Sequence, residues 1–276
     1  MSESFQNLTL PDMPTETNWP SSRARLAEQV DYYRRFGKLL YTIATRNTVR
    51  RSQDYVKEEY EGLTTEQPTK WDTLDTPAVL RRSGKLVLSS LMSLRQQTSG
   101  IIMDALEAVQ AKSVMEYGCG EGINIAICSQ LHKETFPDLT WHGFEYSQGG
   151  TSRAQALVEA LGLSNVSVWN GDGTDTQLED NFVDLAYSAH VLEQMPDHWD
   201  KMVSEMKRTA RFVLLIEPFY ENKSLAGKTH SRANNYFRAK LSDLTDMGMD
   251  IMNVYCPDLQ DPFNASTVVL LKSNGA

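Results

Sequence analysis

The chain has 276 residues, of which 41% are hydrophobic and 23% charged, and its net charge is −9. This length can bury a substantial core, no apolar run approaches the roughly 18 residues of a membrane span, and the acidic balance argues against a general nucleic-acid-binding protein. The first 20 residues lack the basic-then-apolar pattern of a signal peptide, and Cys119, Cys128 and Cys256 lack metal-site or CxxC spacing. Together these features predict a reduced, cytoplasmic protein.

The N-terminal third is predicted to be a helical extension that follows a flexible leader at residues 1–20. Ser21 or Ser22 can cap a helix after Pro20, and apolar residues recur at helical spacing over residues 21–60. Residues 62–77 contain two prolines and are predicted to be a linker or crossing loop. A second helical region is predicted at residues 78–109. Residues 21–109 are thus expected to form a lid or substrate cover.

The predicted first helix carries an unusual excess of positive charge. Residues 23–51 contain eight Lys or Arg residues and two acidic residues. A solvated helix face is the commoner cause of such a pattern, and RNA binding is the alternative.

From residue 113 onwards, short apolar runs alternate with helical patterns. The predicted strands of this part are residues 113–117, 139–146, 166–172, 182–189 and 211–218. Alternation of strands and helices is typical of a doubly wound parallel sheet. The runs 250–256 and 266–272 have no helical pattern between them, so they are expected to pair as an antiparallel hairpin at the edge. Residues 110–276 are therefore predicted to form an α/β domain with a mainly parallel seven-stranded sheet.

The loop after the first strand, "GCGEG", contains Gly118, Gly120 and Gly122. In open α/β sheets, ligands bind at the carboxyl ends of the strands, and a glycine loop there lets a nucleotide-like ligand approach the backbone. The spacing G-x-G-x-G differs from the G-x-G-x-x-G of dinucleotide-binding folds. A dinucleotide site also gives no reason for the acid Glu116 inside the strand. A purely structural alternative is that the glycines only make a tight turn between strand and helix.

The segment "MEYGCGEG" resembles motif I of the class I S-adenosylmethionine-dependent methyltransferases, E/D-x-G-x-G-x-G, and the resemblance extends over roughly residues 100–276. Glu145, 23 residues beyond Gly122, stands where that family has the acid that binds both ribose hydroxyls. Asp172 matches the acid or amide that reads the adenine amino group. The segment 187–197, "YSAHVLEQMPD", resembles the region after strand four in the small-molecule branch. Gln194 stands where that family usually has a histidine, so the resemblance assigns no role to Gln194.

The resemblance implies S-adenosylmethionine as the cofactor. The residues implied to bind it are Glu116, Tyr117, Gly118, Gly120, Gly122, Asn124, Glu145, Tyr146, Asp172, Gly173, Ala189 and His190. Three of these have structural alternatives: Glu116 can anchor the loop backbone, Tyr117 can be a core residue, and His190 can be a solvent-facing helix cap.

The expected reaction is in-line attack of an N, O or S nucleophile on the sulfonium methyl group. A base is needed only for a hydroxyl or a protonated amine. The candidate catalytic residues are His190, Glu217, Tyr220 and His230, and the candidate acceptor-binding residues are Tyr33, Tyr220, His230, Arg232, Tyr236 and Arg238. Residues 223–240 contain basic side chains and no acid, which favours a small anionic acceptor bearing a carboxylate or phosphate. Ordinary helix solvation explains the same pattern.

Other functions remain alternatives. The enzyme can be an RNA or protein methyltransferase that uses the basic N-terminal helix, or the chain can be a catalytically idle, cofactor-binding partner subunit. No metal is expected, because the nearby His190, Glu193, Asp197 and His198 are more typical of a capped, solvated helix. Neither a nucleic-acid nor a membrane partner is expected, and the oligomeric state, including a homodimer, is left open.

Overall fold

The computed structural model describes residues 10, 16–19, 26–45 and 60–273 of the chain. Its strands, in chain order, are β1 (Thr17–Asn18), β2 (Pro77–Arg82), β3 (Lys85–Ser90), β4 (Ser113–Tyr117), β5 (Thr140–Glu145), β6 (Val166–Asn170), β7 (Val183–Ala189), β8 (Ala210–Glu217), β9 (Met249–Tyr255), β10 (Leu259–Gln260) and β11 (Thr267–Ser273). Its α-helices are α1 (Leu26–Thr45), α2 (Leu91–Val109), α3 (Ile123–Leu131), α4 (Gln148–Ala160), α5 (Trp199–Thr209), α6 (Leu225–Ala233) and α7 (Leu241–Asp246). No helix within the described ranges has both the length and the apolar character needed to cross a membrane.

The larger sheet has seven strands in the order β6-β5-β4-β7-β8-β11-β9. The first five are parallel to one another, and β11 is antiparallel to both β8 and β9. Strand β11 is buried along nearly its whole length, whereas β9 is largely exposed and forms the edge. A strand that is apolar on both faces is stable only between neighbours and under helices. The predicted fold class is therefore confirmed, and each predicted strand agrees with the structure to within two residues at either end.

Two apolar layers cover the faces of this sheet. On one face α2 and α3 pack against the strands through residues that include Ile102, Leu106 and Ile125. On the other face Val203 and Met206 of α5 are completely buried. Because both faces are covered, the polar and ligand-accessible part of the sheet is confined to the strand ends.

A second, four-stranded antiparallel sheet has the order β1-β3-β2-β10. The prediction of a helix over residues 78–109 is wrong for residues 78–90, which form the hairpin β2–β3. Ser83 and Gly84 connect its strands, and their φ angles of 48° and 80° give the left-handed turn that suits a two-residue hairpin. The helix begins only at Leu91, after Ser90 caps it by accepting a hydrogen bond from the Ser93 amide.

The hairpin left a readable signal in the sequence. A Ser-Gly pair stands between "AVLRR" and "KLVLSS", which is a two-residue turn between apolar runs rich in strand-forming residues.

The remaining N-terminal predictions are only partly covered by the described residues. Within the predicted leader, Thr17–Asn18 pair with β3. Helix α1 accounts for residues 26–45 of the predicted helix 21–60, while 21–25 and 46–59 lie outside the described residues. The predicted crossing loop is irregular apart from a 3₁₀ turn at Trp71–Thr73. The proposed domain boundaries stay a prediction, and β10 shows that the C-terminal region contributes a strand to the N-terminal sheet.

Candidate active site

The glycine loop after β4 adopts a backbone that other residues rarely adopt. Gly118, Gly120 and Gly122 have φ angles of 69°, 55° and 75°, in the left-handed region that favours glycine. A Cβ atom on Gly118 would also overlap Val191 Cγ2 and lie 2.9 Å from Val191 Cβ. The glycines therefore satisfy a steric requirement of the fold, and they bring the backbone to the carboxyl end of the sheet.

A cavity of about 500 Å³ opens at the carboxyl ends of β4, β5 and β7. Its volume lies in the range typical of small-molecule sites. Nine of the residues predicted to bind cofactor line it: Glu116, Gly118, Gly120, Asn124, Glu145, Tyr146, Gly173, Ala189 and His190.

Glu116 is buried at one end of this cavity within a hydrogen-bonded group. Its Oε1 accepts from Asn124 Nδ2 at 2.7 Å, and its Oε2 accepts from the Tyr187 hydroxyl at 2.9 Å. Burial raises the pKa of Glu116 to about 7, although these hydrogen bonds and the charge of Arg95 oppose the rise. Arg95, which no sequence motif indicated, donates from a guanidinium nitrogen to Asn124 Oδ1 at 2.9 Å. This end of the cavity thus presents a cation and a buried carboxyl group side by side.

Glu145, at the end of β5, ties two loops together. One carboxylate oxygen accepts from the Ser147 amide at 2.9 Å and from its hydroxyl at 2.8 Å, and the other accepts from the Gly120 amide at 2.9 Å. A carboxylate has about four acceptor positions, so Glu145 retains capacity for a ligand at the cavity wall.

Three of the predicted cofactor residues do not line the cavity. Tyr117 is fully buried and its hydroxyl lies 2.6 Å from Thr209 Oγ1, which agrees with the alternative of a core residue. Gly122 forms the start of α3. Asp172 lies beside the wall residue Gly173, and its Oδ1 accepts from the amide and hydroxyl of Thr174, both at 2.8 Å.

The opposite side of the cavity carries polar side chains from β10, from the loop after it, and from the segment after β7. We call this group the polar wall; it comprises His190, Glu193, Gln260, Asp261, Asn264 and Ser266. Only His190 among them was predicted as a site residue. The others come from stretches without a recognisable motif, and the fold brings them together across as many as 76 residues of sequence.

His190 is the centre of the polar wall. Its backbone has a φ angle of 59°, its Nε2 lies 2.6 Å from Ser266 Oγ, and its Nδ1 lies 3.5 Å from Glu193 Oε1. Burial by itself lowers the pKa of His190, but the neighbouring Glu193 and Glu217 carboxylates outweigh burial and raise it overall. A histidine held between a hydroxyl and a carboxylate can take up and release a proton.

Glu217, another predicted catalytic residue, lies behind the polar wall and does not line the cavity. Its side chain is completely buried, and Oε1 accepts from the Val191 amide at 3.0 Å and the Leu192 amide at 3.2 Å. Burial raises the pKa of Glu217 to about 7. The residue holds the backbone on either side of Val191, which contacts Gly118.

The other predicted catalytic and acceptor-binding residues lie away from the cavity. The Tyr220 hydroxyl accepts from Arg232 at 3.0 Å, and the rings of His230 and Tyr236 lie 5.6 Å apart. Burial lowers the pKa of His230. Arg232 and Arg238 are exposed, as is Tyr33. The described cavity wall contains none of these six side chains.

The crossing loop covers the glycine-loop side of the cavity. Tyr60 and Lys70 line the cavity, and Lys70 Nζ donates to the Tyr60 hydroxyl at 2.6 Å. Arg153 of α4, only 2% exposed, anchors the loop because it donates to the Pro68 carbonyl at 2.6 Å and pairs with Glu121 at 3.1 Å. A Cβ on Gly149 would lie 2.9 Å from the Glu61 carbonyl oxygen, so glycine there permits the close crossing.

Residues 114–211, which contain the glycine loop, Glu145 and His190, match the family model described as "Methyltransferase domain". Over these 98 of its 276 residues, the chain is similar to a methyltransferase domain. The predicted family resemblance is thereby confirmed for this segment, and the predicted cofactor class, S-adenosylmethionine, goes with that family.

The methyltransferase domain also has curated and structural relatives. A protein-L-isoaspartate O-methyltransferase of Roseiflexus sp. (strain RS-1) is 32% identical over 74 residues, which are 27% of this chain and 31% of that protein's length. Among solved structures, geranyl diphosphate C-methyltransferase of Streptomyces coelicolor A3(2) has a TM-score of 0.54 at 14% identity, covering 67% of this chain and 81% of its own. Magnesium protoporphyrin IX methyltransferase of Synechocystis PCC 6803 has a TM-score of 0.52 at 19% identity, and the match covers 66% of this chain and 84% of that protein's chain. At these identities the structures show a shared fold.

The methyltransferase domain was predicted to work without a metal, and that stays a prediction. Over the described ranges, no cluster of three or more His, Cys, Asp or Glu side chains has the geometry of a metal site.

Proposed function

We propose that this protein transfers a methyl group from S-adenosylmethionine to a small molecule, at an N, O or S atom. The observation that carries the proposal is the single cavity that joins the glycine loop and Glu145 to the polar wall around His190. Bound S-adenosylmethionine supplies a sulfonium methyl group that is open to in-line attack. The chain's own task is then to hold two molecules in line and to exclude water.

The cavity residues fit the cofactor's chemistry. A zwitterionic amino-acid end suits the place where Arg95 lies beside the buried Glu116 and Asn124. Glu145 has acceptor positions left for ribose hydroxyls. Gly173 and Tyr146 line the remaining wall. The bonds from Thr174 occupy only Oδ1 of Asp172, so its Oδ2 can still accept from an adenine amino group.

We assign the proton-accepting role to His190. It is the one predicted catalytic residue that lines the described cavity, and it has a hydroxyl on one ring nitrogen and a carboxylate near the other. Glu217 supports it as a positioning residue, since it fixes the backbone of the next two residues. Tyr220 and His230 lie off the wall and are given no catalytic step.

The finer prediction, a small anionic acceptor, rests on the acid-free basic run 223–240, in which Arg232 and Arg238 are the residues to test. Both are exposed and neither lines the described cavity, so the cavity gives that prediction no support. A small-molecule acceptor, in a cytoplasmic setting and without nucleic-acid or membrane partners, remains the proposal. The cavity volume of about 500 Å³, which is typical of small-molecule sites, favours it over a macromolecular acceptor.

One experiment separates the candidate functions. Purified protein is incubated with S-adenosylmethionine labelled in its methyl group and with a cell extract, which is then fractionated by size. Label in the low-molecular-mass fraction is expected. Label in protein or RNA would instead support the macromolecular alternatives. Cofactor binding by calorimetry with no transfer to any fraction would support an idle partner subunit.

A further inference from the structure

The charged side chains of the cavity are divided between its two sides. The cations that line it in the described part of the chain, Lys70 and Arg95, lie on the glycine-loop side, where they bond to Tyr60 and Asn124. The polar wall has two carboxylates, Glu193 and Asp261, and no Lys or Arg. Asp261 is already neutralised, because Arg35 of α1 contacts both of its oxygens at 3.0 and 2.8 Å. Glu193 is therefore the acidic group available to a ligand on this wall.

Glu193 is a buried carboxylate whose negative charge is only partly balanced by neighbouring positive charge. Its side chain is 5% exposed, and its nearest described basic group is the His190 ring at 3.5 Å. A buried carboxylate normally pairs with a cation at hydrogen-bond distance. Lys223, behind the wall, is also buried, but its Nζ donates to the Ser231 hydroxyl and forms no described ion pair with a carboxylate.

The hydrogen bonds of Asn264 define what else the wall offers. Its Nδ2 donates to Glu193 Oε2 at 2.7 Å, and because a carboxylate only accepts, this bond fixes the orientation of the amide. Asn264 Oδ1 then has no donor among the described residues. Buried acceptors without donors are rare in native proteins. The unmet hydrogen-bonding capacity of this wall is thus that of an acceptor beside a carboxylate.

We infer that the methyl acceptor carries a protonated amine, which binds at Glu193 and Asn264. An ammonium group supplies three N–H donors and one positive charge, which match the buried Glu193 carboxylate and the Asn264 oxygen that lacks a donor. A carboxylate or phosphate group would instead meet Glu193 with like charge. The inference rests on the proposed function only in naming this amine as the methyl acceptor.

Binding of matched probes tests the inference without knowledge of the natural acceptor. The full-length protein is first titrated with S-adenosylhomocysteine by calorimetry and then saturated with it. Two probe triples are measured by ligand-observed NMR: 2-phenylethylamine, phenylacetate and 2-phenylethanol, and hexylamine, hexanoate and hexanol. The amine of each triple is expected to bind at least about tenfold more tightly than its carboxylate. Glu193→Gln should remove that preference, while the exposed control Glu179→Gln should keep it.

Asn264→Ala provides a second variant, since it removes the neighbouring acceptor and the Nδ2 bond to Glu193 Oε2 but leaves the carboxylate itself in place, and it should weaken amine binding severalfold. Carboxylate preference, equal binding within both triples, absence of binding by all six probes, or an amine preference that survives both substitutions would each overturn the inference. A protein that fails to bind S-adenosylhomocysteine but still prefers amines would overturn the proposed function and leave this inference standing.

Discussion

Gly118 and Val191 are in contact across the ends of β4 and β7, and no room remains between them for a Cβ atom. Gly118 has a φ angle of 69°, and an added Cβ would overlap Val191 Cγ2. Val191 is in turn fixed because its amide donates to the buried Glu217 at 3.0 Å. The glycine loop, the segment after β7 and Glu217 therefore form one connected unit beneath the cavity.

We expect Gly118→Ala to lower the free energy of unfolding by more than about 2 kcal/mol and to weaken cofactor binding. The left-handed backbone costs about 1–2 kcal/mol for a non-glycine residue, and the overlap with Val191 adds to that cost. The double variant Gly118→Ala/Val191→Ala should recover only the part of the lost free energy of unfolding that is due to the overlap with Val191. Urea denaturation measures both, with Gly100→Ala as the control, because Gly100 lies in a helix with open space around it. Equal stability of the Gly118 and Gly100 variants would contradict the steric account.

Replacing Glu145 by alanine should reduce the affinity for S-adenosylmethionine at least about tenfold. Each charge-assisted hydrogen bond to a ribose hydroxyl contributes roughly 1.5–3 kcal/mol, and the variant also releases the Gly120 amide. Isothermal calorimetry measures the affinity, and thermal unfolding checks that the fold survives. Unchanged affinity would show that the carboxylate after β5 is not part of the cofactor site.

The titration of Glu116 and Glu217 should lower the stability of the protein as the pH rises from about 5 to about 8. In contrast, His132, His142 and His230, whose pKa values burial lowers, act in the opposite direction as the pH rises towards their ordinary value of 6.5. Burial raises the pKa values of Glu116 and Glu217 from their ordinary value of 4.5 to about 7. In that interval the folded protein keeps protons that the unfolded chain has lost, so the free energy of unfolding decreases with pH. His190 acts in the same direction: its raised pKa gives a contribution that is full below about 6.5 and lost as the pH passes its value in the folded protein.

Urea denaturation at several pH values checks this dependence, with Glu217→Gln as the informative variant. A glutamine oxygen can still accept from the Val191 and Leu192 amides, but the side chain no longer titrates. The variant should show a shallower decline between pH 5 and 8. An identical slope in wild type and variant would mean that Glu217 titrates near its ordinary pKa.

Arg35 and its neighbour Arg34 provide a matched test of whether α1 holds the loop at residues 257–266 in place. Arg35 contacts both oxygens of Asp261 and lies 4.8 Å from the Phe263 ring. Within the described part of the chain, Arg34 pairs only with Asp31 on its own helix. Arg35→Gln should therefore speed amide hydrogen exchange in residues 257–266, while Arg34→Gln should not. Exchange measured by mass spectrometry that responds equally to both variants would show that α1 does not hold this loop.

The exposed arginines of the α6 region provide the test of an anionic acceptor. Once the acceptor is known, Arg232→Gln and Arg238→Gln are expected to leave its KM unchanged, since neither side chain lines the described cavity. A raised KM with unchanged cofactor affinity would indicate a lost acceptor contact and would restore the anionic prediction.

The sequence by itself determined the larger sheet and the cofactor side of the site. Alternation of apolar runs with helical periodicity is a local property, and so is the spacing from Glu116 through the glycines to Glu145. Parallel strands carry such residues to a common edge, so these positions could be placed without coordinates. The hairpin at 77–90 was also within reach through its Ser-Gly turn.

Only the tertiary structure decided the polar wall and the direction of the basic side chains. Ser266 and Asn264 reach His190 because β11 inserts between β8 and β9 and thereby draws the loop after β10 over the cavity. Arg95 reaches Asn124 because α2 packs against α3, the helix that carries Asn124. Arg232 and Arg238 stand next to buried residues in the sequence but are themselves exposed. Which side chains turn inward depends on packing between elements distant in sequence, and no local pattern encodes that packing.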